Sequence, residues 1–207
     1  MASPVLDSSA KTAAINAPIF QEDRFTALQK IFSFTPQFRF CDAQGKTLAY
    51  LRKKVFSWKD QIRVFTDETL SLELLTINAR KIIDWGSAFE VTDSLNHQRV
   101  GVLKRRGWRS FVRSEWLIFD AQEQQVGRIV EQSAFKAVMR RLLGDLLPQS
   151  YSFEIQGQQV GTARQRLNFL MPRMEADFSG DSGRLLDRRL ATAAVVLIMS
   201  IEGRQMA

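Results

Sequence analysis

The chain has one cysteine, Cys41, and one histidine, His97, in 207 residues. That scarcity excludes a good deal of chemistry. A zinc site draws three or four N, S or O ligands largely from these two residue types, and soft-metal sites need several thiolates. A lone cysteine closes no internal disulfide, so the thiol content gives no argument for an oxidising compartment. Met1–Ile19 has no apolar stretch behind a basic start of the kind a signal peptide needs. The expected location is cytoplasmic, or peripheral at the inner face of a membrane.

Long apolar runs are also missing. The strongest, Leu190–Ile201, spans about a dozen residues between Asp187-Arg188-Arg189 and Glu202-Gly203-Arg204, whereas a bilayer helix needs about 20. No transmembrane span is expected. A helix apolar on every side must still be surrounded by apolar material, and that leaves the protein interior. The sequence predicts a core helix over about 185–204.

What is present is a composition that can fold: 45% hydrophobic against 25% charged. Lys and Arg number 29 against 22 Asp and Glu, a formal +7, which favours an anionic partner without naming one. Residues 1–23 mix Ala, Ser, Pro and charge without sustained periodicity and read as a loosely ordered leader, with Ile19-Phe20 and Phe25–Phe32 able to form a docking turn or short helix. Residues 24–207 read as one domain whose strand signals become strong near Phe34.

One pattern recurs in it. Phe38–Asp42 leads through a short polar turn to Thr47–Leu51, Phe89–Asp93 to Val100–Leu103, and Trp116–Asp120 to Val126–Ile129; Tyr151–Ile155 and Gln159–Ala163 repeat it without the Asp. Alternate residues such as Phe38/Phe40 and Trp116/Ile118 face one side, Asp opens the turn by bonding its own downstream backbone, and Gly in the return strand admits a close neighbour. Each is a predicted hairpin. Further strand candidates are Lys54–Trp58, Ile62–Phe65, Leu72–Ile77, Ile82–Trp85, Ser110–Arg113 and Met174–Phe178, and about a dozen strands in one domain must close or stack to protect their edges. Ser133–Leu147 breaks the pattern with apolar residues at helical spacing and Pro148 as a stop.

The repeated aromatic-x-x-x-Asp hairpin with its Val-Gly return, the Ser114–Asp120 stretch, and an apolar helix following Met174–Asp181 resemble, in this order, the LURP-one-related and phospholipid scramblase-like families with the tubby C-terminal fold. The resemblance covers about Phe34 to Arg204. It implies a mostly β fold, a closed antiparallel barrel of about twelve strands around a central hydrophobic C-terminal α-helix. It also implies membrane lipid as a ligand class: tubby domains bind phosphoinositides through a basic surface, and scramblase-like proteins are associated with lipid movement under calcium control.

The best anion-binding candidate is Lys104–Arg113, where Lys104, Arg105, Arg106, Arg109 and Arg113 stand with no acid among them and Trp108 and Phe111 interleaved. Each cation near an anionic membrane contributes about 1 kcal/mol, and an interfacial Trp inserts at headgroup level. The competing reading is a solvated hairpin whose Trp108 packs inward and whose charges pair with Glu115 and other acids. Lys136, Arg140 and Arg141 lie on the polar side of the 133–147 helix, which suits a membrane surface but better suits packing on a barrel end.

No metal or other cofactor is expected. Asp177, Asp181 and Asp187 fall where the scramblase-like family has its acidic stretch, but their spacing lacks the dense oxygen ligands of a calcium loop, and Asp187 reads better as a helix N-terminal residue. His97 sits in a turn without a nucleophile or orienting partner, Gly101–Gly107 lacks the Lys-Ser/Thr of a phosphate-binding loop, and Gly180–Gly183 could form a triad only with distant His97. The expectation is a non-enzymatic binding module for anionic lipid or another polyanion. The alternative is a protein-interaction or structural module with an acidic protein partner. Nucleic acid ranks behind both, since no reader motif is present.

Overall fold

The computed structural model describes residues 17–30, 37–52, 61–80, 87–106, 115–132, 149–166 and 172–201. Among them, twelve antiparallel strands form one closed barrel in which every strand pairs with its sequence neighbours and β1 closes on β12. The strands are β1 (Arg24–Lys30), β2 (Gln37–Cys41), β3 (Thr47–Arg52), β4 (Ile62–Phe65), β5 (Glu73–Arg80), β6 (Ala88–Asp93), β7 (Arg99–Arg105), β8 (Glu115–Phe119), β9 (Gln125–Glu131), β10 (Ser150–Ile155), β11 (Gln158–Arg166) and β12 (Arg173–Asp177). A short helix, α1 (Pro18–Gln21), precedes them and a longer one, α2 (Arg188–Ile201), follows.

The fold expected from the sequence is the fold found. A barrel of this many strands is wider than its own inward side chains can fill, and α2 occupies the space. Leu190 to Met199 is buried without a break, and each buried Val, Leu or Ile contributes on the order of 2 kcal/mol. The helix starts at Asp187, whose Oδ1 accepts the Arg189 N–H at 2.8 Å, a side-chain N-cap as expected.

The repeated hairpins owe their geometry to two local devices. Asp42 Oδ1 accepts N–H donors from Gln44 (2.9 Å) and Lys46 (2.8 Å), and Asp120 Oδ1 does the same from Gln122 (2.9 Å) and Gln124 (2.8 Å). Asp93 bonds Leu95 N in the same manner. The second device is a β-bulge early in the return strand. Pairing shifts by one residue at Phe40/Cys41, Val91/Thr92, Ile118/Phe119 and Phe153/Glu154, so Leu48, Val100, Val126 and Val160 are the extra residues. The Val-Gly element of the sequence repeat therefore encodes a bulge, which adds twist and bends the strand as closure requires. The glycine serves close packing as well. A Cβ on Gly161 would lie 2.2 Å from the Phe178 ring, and one on Gly101 would lie 2.3 Å from Phe119 O and 3.0 Å from the Leu190 side chain of α2.

Strand β1 differs from the expected docking turn or helix. Phe25 and Ala27 alternate inward into the core, and the pairing of Arg24 with Asp177 and Phe25 with Ala176 closes the barrel; partner strands on both sides override a composition with little strand preference of its own. Upstream, Ala17, Ile19 and Phe20 are buried in the same core. The candidates Lys54–Trp58, Ile82–Trp85, Ser110–Arg113 and the 133–147 helix lie outside the described residues.

Candidate functional site

The antiparallel topology sorts the connections into two sets. At one end lie the Asp turns, the β4–β5 loop, the β10–β11 turn and the start of α2. The six connections between β1–β2, β3–β4, β5–β6, β7–β8, β9–β10 and β11–β12 all leave the other end, hereafter the rim.

At the Asp-turn end the arginines around the start of α2 are held by carboxylates and backbone carbonyls. Arg188 is a nearly buried cation, 4% exposed, at a helix N-terminus where the dipole disfavours it. Its guanidinium donates to Asp181 Oδ2 (2.7 Å), Asp23 Oδ1 (2.7 Å) and the Leu186 and Phe178 carbonyls, and its Cζ lies 5.4 Å from the Phe178 ring centroid. Burial pushes Asp181 up, but the hydrogen bonds from Arg188, Leu186 and Leu185 outweigh it and hold the carboxyl below the usual range. Arg189 pairs with Asp93 (2.8 Å) and Asp187 (2.6 Å). Arg184 donates to the Phe20 and Gln21 carbonyls. These contacts tie residues 20–23 to the helix start. Asp177 serves Ser179 and Arg24, so the acids singled out before the helix have separate structural partners. His97 is exposed, at φ 56° in the β6–β7 turn.

The rim is cationic. Of the six strands that run towards it, five end on Lys or Arg: Lys30, Arg52, Arg80, Arg105 and Arg166, with Glu131 ending the sixth. Of the candidate residues, Lys104 and Arg105 close β7 and Arg106 follows it; Trp108, Arg109 and Arg113 lie outside the described residues. Lys104 is half-buried on the outward face. Arg105 shares the strand face of fully buried Leu103 and stands in register with Trp116, which is packed inside against Phe89. Arg106 is exposed and pairs with Glu115 at 2.9 Å, so for this residue the neutralised reading holds.

On the wall from β5 to β9 the arginines Arg80, Arg99, Arg106 and Arg128 have carboxylate partners. Arg80 and Arg99 share Glu90 and Glu123, and the guanidinium of Arg80 holds Glu123 below the usual carboxylate range. Arg128 pairs with Glu154 at 2.8 Å and reaches Glu115 at 4.0 Å. Local reading of the sequence missed the opposite wall, where β11, β12, β1, β2 and β3 meet. Arg164, Arg166, Arg173, Lys30, Arg39 and Arg52 are exposed there, and the acids within their reach are Glu175, shared by Arg166 (2.8 Å) and Arg173 (4.0 Å), and Glu68, which pairs with Arg39. The only signal in the sequence was the run of strand-terminal cations, and their adjacency is invisible until β1 meets β12.

The described residues form a closed twelve-strand barrel whose inside holds a buried C-terminal helix and whose strands end on cations at one rim. The model of the LURP-one-related family matches residues 23–199, and the chain belongs to that family. An X-ray structure of a protein from Arabidopsis thaliana is similar at 10% identity and a TM-score of 0.48, covering 86% of this chain and 91% of that one. No curated protein matches. Among the described residues, no helix is long and apolar enough to cross a membrane.

Proposed function

We propose that this protein is a non-enzymatic module that binds anionic phospholipid headgroups peripherally, presenting the rim to the membrane. The observation that carries the reading is the charge polarity of the barrel: five of six strands finish on a cation at the rim, while Asp42, Asp67, Asp93, Asp120 and Asp177 end or follow strands at the other end. Such a distribution orients the molecule in the field of an anionic surface, which attracts each Lys or Arg by about 1 kcal/mol. By sequence, every one of the six rim connections contains Phe or Trp, and Trp58, Trp85 and Trp108 are three of the chain's four tryptophans. The turns 42–46, 66–72, 94–98, 120–124 and 156–157 contain no Phe, Trp or Tyr. Cations and aromatics together suit the membrane interface, which offers negative headgroups above an apolar layer. Lys104–Arg113 supplies the densest basic connection, with Lys104, Arg105, Arg106, Trp108, Arg109 and Arg113 as the contacting residues.

The test is flotation of the full chain with neutral phosphatidylcholine vesicles and with vesicles containing phosphatidylserine or a phosphoinositide, across a salt series and with single-stranded nucleic acid as competitor. The expected result is salt-sensitive flotation with the anionic vesicles alone, indifferent to competitor, and weakened in a variant carrying Arg105→Ser, Arg106→Ser and Arg109→Ser. Absence of flotation at low salt overturns the reading and leaves the acidic-protein partner to be sought.

A further inference from the structure

The chain has a second cationic surface, built where the barrel closes rather than along any continuous segment. Arg166 on β11 and Arg173 on β12 are direct cross-strand partners. Both point outward, because Ala163, Met174 and Ala176 alternate into the core. Like charges placed directly opposite destabilise a sheet. Among the described residues the relief is slight: one carboxylate, Glu175, reaches both guanidiniums, and Arg164, in register with it, adds a third cation. Among the described residues Arg164, Lys30 and Arg52 have no ion-pair partner. The contrast with the β5–β9 wall is the argument. There Arg80, Arg99, Arg106 and Arg128 are matched by Glu90, Glu123, Glu115 and Glu154. Among the described residues, those four arginines each have a carboxylate partner, whereas the three-arginine cluster on the other wall has one carboxylate among them.

We infer that Arg164, Arg166 and Arg173, extended along the rim by Lys30 and Arg52, form a phosphate-binding face that engages the headgroups of an anionic membrane. Guanidinium groups present planar forks of donors that match phosphate oxygens, and a bound headgroup supplies the negative charge that the cross-strand arginine pair lacks. The rim position decides for a lipid surface. Lys30, Arg52, Arg166 and Arg173 are terminal residues of their strands at the end from which the six connections with Phe or Trp in their sequence leave. The inference rests on the rim-first reading above and adds to it which side of the rim faces the headgroups.

The test compares the full chain, an Arg166→Gln/Arg173→Gln variant and a Glu175→Gln variant on phosphatidylserine vesicles, beside the Arg105/Arg106/Arg109 variant, with circular dichroism as the folding control. Removing two cations should weaken partitioning about thirtyfold and flatten its salt dependence, and removing the single carboxylate should strengthen it about fivefold. A double-glutamine variant that partitions like the parent, while the Arg105/Arg106/Arg109 variant fails, overturns this inference and leaves the rim-first reading standing. Loss in the double-glutamine variant with no change in the Arg105/Arg106/Arg109 variant supports the face and moves the contact away from Lys104–Arg113. A parent chain that ignores anionic vesicles at low salt overturns both.

Discussion

The two ends of the barrel handle charge in opposite ways. At the Asp-turn end the carboxylates and the buried cation serve the fold: Asp42 and Asp120 bond the turns they open, and Arg188 is buried between Asp181, Asp23 and the Phe178 ring. At the rim, cations end the strands and on one wall outnumber the acids. The difference separates charge that holds the fold from charge left to meet something outside. A buried ion pair is sensitive to the loss of either member, because the survivor is left desolvated. An exposed one is nearly indifferent.

That contrast can be broken or sharpened by mutation. The largest effect should come from the axis that both ends share. Val196 is 1% exposed within α2, and Val196→Asp should abolish the cooperative unfolding transition by burying an unpaired charge; a soluble variant with native near-ultraviolet circular dichroism would mean that the helix does not thread the barrel. Next, Arg188→Ala should lower stability by about 3–5 kcal/mol in denaturant unfolding, since it strands Asp181. A loss near that of a surface variant would erase the distinction between the ends.

Acid should act at the same place. The folded-state pKa of Asp181 lies below its unfolded value, so its contribution is complete above about pH 4, where the unfolded carboxyl is ionised, and is lost as pH falls through the folded value. Asp181→Asn should therefore be less stable at neutral pH and should show a shallower loss of stability below about pH 4. Equal acid slopes for the two chains would place the acid sensitivity elsewhere.

Asp120→Ala should cost about 1 kcal/mol by freeing the Gln122 and Gln124 N–H groups of an exposed turn. The smallest effect belongs to the rim. Arg166→Gln with Arg173→Gln should shift stability by less than about 0.5 kcal/mol, because the pairs they form with Glu175 are exposed. A large destabilisation there would make those arginines part of the scaffold and contradict the division drawn between the two ends.

Much of the fold was legible because its devices are local. An Asp followed by N–H donors two and four residues on makes a turn without help from the rest of the chain, and Phe38/Phe40 or Trp116/Ile118 declare a buried face by alternation alone. Strand β1 was not legible, since Arg24–Lys30 becomes a strand through its pairing with β2 and β12. The bulges were half legible: the Val-Gly repeat was visible, but the extra residue it inserts exists only relative to a partner strand. Of the candidate site, the basic composition of the connection after β7 is plain in the sequence, and its residues 107–114 lie outside the described ones. The pairing of Arg106 with Glu115 could be suspected, and the face around Arg164, Arg166 and Arg173 with Lys30 and Arg52 could not.

The sequence by itself determined the hairpins, the Asp turns and a terminal helix too short for a bilayer and too apolar for the surface. These follow from interactions between residues a few positions apart, together with the cost of exposing a greasy helix to water. Only the tertiary structure decided which charges share a wall. Closure pairs the first strand with the last, so that Arg24 donates to Ser179 across 155 positions, and contacts at that separation are set by the geometry of the closed barrel rather than by any pattern within a segment.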